Sequence, residues 1–154
     1  MVSTKTIDSF LERIAKDDSK QSVANFRMSV PLMEGDYQFY KGIKEWQHVY
    51  PAAEFGKDES DNLVFKKSNG LLMLHFIHLM TDQEMEAARK AASLLPMTFA
   101  AITGADGRSL IVLVCICDEE GKIPEKEADA ELLYQCAYEQ VKSLYLSQIQ
   151  AELK

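Results

Sequence analysis

The sequence predicts an α+β fold: a small, mostly antiparallel sheet backed by helices, with an N-terminal helical layer. Three observations predict it. The runs Leu71–Leu79 and Ser109–Cys117 are almost wholly apolar and of strand length. A capped helical pattern from Thr81 to about Leu95 separates the first run from a third, Met97–Thr103. A long apolar-periodic segment, Glu127–Leu153, supplies a helix able to back the sheet.

Taken in order, residues 4–16 place Ile7, Phe10, Leu11 and Ile14 on one helical face, with Ser3 or Thr4 as cap. Asp18 or Ser19 caps a second helix through Val23, Phe26 and Met28, which stops before Pro31. Gly35-Asp36 opens a third short helix carrying Tyr37, Tyr40, Ile43 and Trp46, and Pro51 ends that region. Residues 56–62, GKDESDN, form a polar turn before a short strand, Leu63–Lys66. Ser68-Asn69-Gly70 is a turn that launches Leu71–Leu79, which reads as a strand covered on both faces. Thr81 with Glu84 is a capping box. Gly104-Ala105-Asp106-Gly107 joins Met97–Thr103 to Ser109–Cys117 as a tight turn, and Asp118–Pro124 is a loop. In the last helix Leu133, Ala137, Val141, Leu144 and Gln148 follow one stripe, flanked by Leu132, Tyr145 and Ile149, with Tyr138, Tyr145 and Leu146 near the outer side as a face for a protein partner. There is no low-complexity linker and no internal repeat, so residues 1–154 read as one domain.

Composition narrows the function. Seventeen basic residues against 24 acidic leave a net charge of −7, which opposes a nucleic-acid backbone at long range. The basic patches are pairs, Lys41 with Lys44 and Lys66 with Lys67. The longest apolar run is far short of the ~20 residues that span a bilayer. Three cysteines, an odd count, and an N-terminus without a basic start or a long apolar stretch point to a reduced, cytoplasmic compartment.

Catalytic signatures are missing. No CxxC and no second cluster offers a zinc site. Cys115 and Cys117 share one face of an apolar strand, a setting for inert thiols rather than nucleophiles. No GxSxG is present. His75 and His78 fall on opposite faces of one strand and cannot readily share a metal. The Gly104–Ser109 loop, GADGRS, joins two strands and so lacks the strand-to-helix context of a nucleotide loop. Arg108 is the cation there that can meet an anion, with Gly107 and Ser109 beside it.

Several pieces also occur in a recognisable order. Tyr40–Trp46 leads into Tyr50-Pro51-Ala52-Ala53-Glu54-Phe55-Gly56, and Ser68-Asn69-Gly70 leads into Leu71-Leu72-Met73-Leu74-His75-Phe76-Ile77. Asp106-Gly107-Arg108-Ser109-Leu110-Ile111 is a glycine turn entering a strand, and Leu133–Tyr145 is a helix with spaced Tyr and Leu. From Phe26 onward this order resembles the VirE-type N-terminal domain of bacterial mobile-element proteins, a relative of the archaeo-eukaryotic primase (primase-polymerase) fold. The resemblance implies a primase-like sheet. It also implies that the carboxylate pair holding catalytic divalent metal falls at His75 and Ile77, and that a basic residue following the glycine turn falls at Ile111. An isoleucine cannot ligate a hard cation.

The expected role is therefore non-catalytic: a primase-like module, binding or scaffolding in replication or maintenance of a mobile genetic element, with no cofactor and no metal. A protein partner is expected, nucleic acid only weakly, and no membrane. The alternative is a small-molecule or nucleotide-binding regulatory domain using the Gly104–Ser109 turn, with Arg108, Gly107, Ser109 and His75 as the ligand-binding residues. A third option is a diverged hydrolase using His75.

Overall fold

A computed structural model of the chain describes residues 6–16, 20–29, 49–76 and 81–153. Its elements are α1 (Ile7–Lys16), α2 (Lys20–Ser29), β1 (Ala53–Lys57), β2 (Leu63–Ser68), β3 (Leu71–Phe76), α3 (Asp82–Ser93), β4 (Thr98–Thr103), β5 (Leu110–Cys115) and α4 (Glu127–Glu152). The architecture is α+β, with two small antiparallel sheets, β1-β2 and β3-β5-β4. The expected third helix around Tyr37–Trp46, the proposed caps Ser3, Thr4, Asp18 and Ser19, and His78 lie outside the described residues.

The three-stranded sheet follows from the β3–α3–β4–β5 order. Both outer strands run antiparallel to β5, so β3 and β4 are parallel to each other with α3 as their crossover. Register pairs Leu72 with Val114, Leu74 with Val112 and Phe76 with Leu110 on one face. On β4 a bulge between Thr98 and Ala100 resets the register, after which Ala101 meets Val112 and Thr103 meets Leu110. This face carries the core. Leu72, Leu74, Leu110, Val112 and Val114 pack with Met85, Ala88, Ala91 and Ala92 of α3 and with Tyr145 and Ile149 of α4.

α3 starts where the sequence predicts. The Thr81 hydroxyl accepts from the Glu84 N–H at 3.1 Å, and the Glu84 carboxylate accepts from the Thr81 N–H at 2.9 Å. Its small residues at positions 88, 91 and 92 let it lie close on the sheet. α1 is capped by Thr6, whose hydroxyl accepts from the Ser9 N–H at 3.2 Å. Of its expected face Ile7, Phe10 and Leu11 are half-buried and Ile14 is exposed, and none of its side chains is fully buried.

Three expectations need correction. Residues 53–57 form a strand, β1, that pairs with β2, so the polar turn is shorter than read and closes a hairpin. In that turn the Asp58 carboxylate accepts from the Ser60 and Asn62 N–H groups, both at 2.9 Å, and these bonds hold its pKa below the usual carboxylate value. Second, β3 is not covered on both faces: Met73 and His75 are exposed on the face that also carries Leu71, Ile111 and Leu113. Third, α4 is turned from the predicted stripe. Tyr134, Ala137, Tyr138, Val141, Tyr145 and Ile149 face the core, while Leu132, Leu144 and Leu146 are exposed. Tyr138 and Tyr145 therefore cannot form an outer partner face. The helix carries leucines on its outer side as well as apolar residues on its inner, and its tyrosine rings, with the larger area to bury, take the inside.

Tyr145 is 0% exposed, and its hydroxyl lies 2.6 Å from Thr98 Oγ1. Thr98 Oγ1 donates in turn to the Ala92 carbonyl at 2.6 Å, so Tyr145 is the donor in the first bond. Burial pushes the Tyr145 pKa up. A raised folded value contributes stability below the ordinary phenol range and loses it as pH rises through that range. Tyr145→Phe is expected to cost about 1 kcal/mol and Tyr145→Ala about 3–5 kcal/mol in urea unfolding. Repeating the titration above pH ~10 should show wild type losing more stability than Tyr145→Phe.

Candidate functional site

The β4–β5 connection is a self-bonded turn. Gly104 N–H donates to the Ser109 carbonyl at 2.7 Å and Gly107 N–H to the Gly104 carbonyl at 3.0 Å. Asp106 organises the rest: its Oδ1 accepts from the Arg108 N–H at 3.0 Å, the Ser109 N–H at 3.0 Å and the Ser109 hydroxyl at 2.7 Å. Gly107 has φ 71°, a left-handed conformation that glycine adopts without steric cost. The turn pair Asp106-Gly107 is thus as the sequence predicts. The N–H groups of Gly107, Arg108 and Ser109, however, already serve acceptors inside the turn, which leaves them poorly placed to cradle a phosphate.

Beside this turn lies an open groove of about 570 Å³. Its walls are Thr103, Asp106, Gly107 and Arg108 from the turn, Thr81, Asp82, Met85 and Glu86 from the start of α3, and Arg27 from α2. Arg27 reaches across to donate from Nε to the Ala105 carbonyl at 3.1 Å and from Nη2 to the Gly104 carbonyl at 3.3 Å. A side chain at position 107 would crowd it, since a Cβ there would stand 3.2 Å from Arg27 Nε. Glu86 is paired with Arg89 through two bonds of 2.6 and 2.9 Å, which keep its pKa below the usual carboxylate value.

The sequence-predicted residues separate in space. Arg108 is exposed and lines the groove, and Gly107 lines it too. Ser109 is 2% exposed and points its hydroxyl at Asp106. His75 lies on the other face of the sheet, opposite Ile111 in the β3–β5 register, and does not line the groove. Sequence reasoning missed Arg27, Asp82 and Glu86. Asp82 was visible as a first-turn acid of a capped helix and Glu86 as an acid one turn on, but Arg27 lies 77 residues before the carbonyl it meets.

A second groove, of about 430 Å³, lies between the β5–α4 loop and α4. Cys117, Asp118, Asp129, Leu132 and Cys136 are among its walls. All three cysteines are free and exposed, so Cys115 and Cys117 do not sit inside an apolar strand as read from sequence: β5 ends at Cys115 and Cys117 lies beyond it. Among the described residues no three His, Cys, Asp or Glu side chains stand together as a metal site.

With this geometry in place, comparison with known proteins decides the family. The model of the BT4734-like N-terminal domain matches residues 41–154. The chain belongs to that family. No curated protein and no solved structure matches it significantly. The BT4734-like match contains both sheets, α3, α4 and the Arg108 wall of the first groove, whereas α1, α2 and Arg27 precede it.

The turn's dependence on one carboxylate gives a direct test. Asp106→Ala removes three hydrogen bonds at once and is expected to cost about 1–3 kcal/mol. Hydrogen exchange should accelerate at the Arg108 and Ser109 amides while the α4 amides keep their protection.

Proposed function

We propose that this chain is a non-catalytic module of primase-like, VirE-type descent that binds or scaffolds other components in the replication or maintenance of a mobile genetic element. The observation that carries this reading is the chemistry of the sheet face holding His75. By register that face carries Leu71, Met73 and His75 from β3, Ile111, Leu113 and Cys115 from β5, and Ala100 and Ile102 from β4. A site for two-metal phosphoryl transfer needs oxygen ligands there. The described positions offer one imidazole, one thiol and otherwise apolar side chains.

A protein partner suits this surface better than nucleic acid. The chain carries a net charge of −7, and Lys67, one of its few paired lysines, is bonded to Glu54 at 3.0 Å. On α4 the exposed Leu132, Leu144 and Leu146 replace the tyrosines as apolar contact residues. No helix of the described residues is long and apolar enough to cross a membrane. On this reading the module works in the cytoplasm.

Two titrations test the proposal. Calorimetry with manganese and magnesium should give no stoichiometric site, and a micromolar site lost in His75→Ala would overturn the non-catalytic reading. Labelled single-stranded DNA at two salt concentrations should bind no tighter than the ~10⁻⁴–10⁻⁶ M of non-specific binding. Submicromolar, salt-sensitive binding would make nucleic acid the main partner.

A second reading, a small-molecule or nucleotide-binding regulatory domain, is favoured by one observation: two guanidinium groups, Arg27 and Arg108, line the same groove.

A further inference from the structure

We propose that the groove beside the β4–β5 turn binds the phosphate group of a small organic phosphate between Arg27 and Arg108, and that this anion fastens α2 to the family domain. The inference rests on the second reading and names its ligand class.

Arg27 spends Nε and Nη2 on two neutral carbonyl oxygens and makes no ion pair among the described residues. Arg108, one residue beyond the glycine that Arg27 lies against, is exposed and also has no ion pair among the described residues. Bonds from a guanidinium to an anion are roughly twice as strong as neutral ones, and its planar fork fits phosphate oxygens. An anion between the two groups gains charge-assisted bonds that the carbonyls cannot offer. The Thr103 side chain lines the same groove and can add a hydroxyl donor, whereas the Thr81 hydroxyl already donates to the Glu84 carboxylate at 3.2 Å.

The acids of the groove set the rest of the ligand. Glu86 is engaged by Arg89, and Asp106 Oδ1 is engaged by the turn. Asp82 makes no ion pair among the described residues. Its carboxylate repels a polyphosphate or a nucleic-acid strand, but it can accept from a hydroxyl or amine on the body of a phosphomonoester. A sugar phosphate meets both demands better than inorganic phosphate does.

The anion matters to α2 because the helix is attached through an apolar and a polar contact. Phe26 is buried, at 2% exposure. Arg27 adjoins it and carries a polar contact with the turn. A phosphate shared with Arg108 therefore couples an arm outside the family match to the turn inside it.

The test uses the full chain, calorimetry with inorganic phosphate and ribose 5-phosphate, and hydrogen exchange over residues 20–29. Ribose 5-phosphate is expected to bind more tightly than phosphate. Arg27→Ala and Arg108→Ala should each weaken it by about tenfold or more. Ligand should raise amide protection in α2 of the wild type but not of Arg108→Ala, a readout that a merely structural role for Arg108 would not move. Circular dichroism checks folding, and if Arg27→Ala is disrupted, Arg27→Lys and the Arg108→Ala exchange data decide. Binding lost in Arg108→Ala but unchanged in the Arg27 variants overturns the bridge and leaves the groove reading standing. Binding unaffected by any of them overturns both. Unchanged α2 exchange on ligand addition overturns the coupling.

Discussion

A phenol that leaves water must keep a hydrogen-bond partner or lose several kcal/mol. Tyr145 meets that constraint by donating to Thr98, and Thr98 meets its own by donating to the Ala92 carbonyl at the end of α3. Two consecutive elements and one distant in sequence are thereby fixed at one point: the last turn of α3, the start of β4, and the C-terminal half of α4. Leu72, Val112 and Val114 belong to the same buried cluster. The rotation of α4 is consequently not free. With Tyr145 inward, Val141 and Ile149 must also face the sheet, and Leu144 and Leu146 must face away.

The acidic surplus of the chain has a local explanation at its turns. Asp58, Asp106 and Asp118 each receive two backbone N–H groups from the residues that follow. Each closes a loop after a strand, and a carboxylate oxygen can accept several such bonds at once. These carboxylates are structural parts of turns. They hold the turns closed and still count toward the net charge of −7. The remaining surface pairs, such as Lys16 with Glu12, are exposed and contribute little to stability.

The parts legible in the sequence are those whose cause is local. The Thr81–Glu84 box, the Asp106-Gly107 turn and the β5 run follow from residues within a few positions of one another, and each stands where the periodicity and turn chemistry predict. β1 was not legible because AEFGK mixes charge and glycine and earns its strand state only by pairing with β2. The α4 face was misread because leucines stand on the outer side, at Leu132, Leu144 and Leu146, as well as apolar residues on the inner, so the pattern did not choose between faces. The exposed side of β3 was hidden by Met73, which reads as core in any apolar run. Of the site, Arg108 and Gly107 were legible from the turn. Arg27 was not, because nothing within α2 signals carbonyls 77 and 78 residues away.

That last contact bears on what the family shares. The BT4734-like match begins at residue 41, so the domain supplies the turn, Arg108, Asp82 and Glu86, but not Arg27. The groove is a composite: one wall belongs to the family domain and one to an arm that precedes it. A guanidinium resting on two neutral carbonyls is a weaker attachment than the same group on an anion. The arm's polar contact is therefore held below the strength its chemistry allows, while Phe26 keeps it in place. In this chain the residues matched by the family supply the turn, and the guanidinium facing it comes from α2.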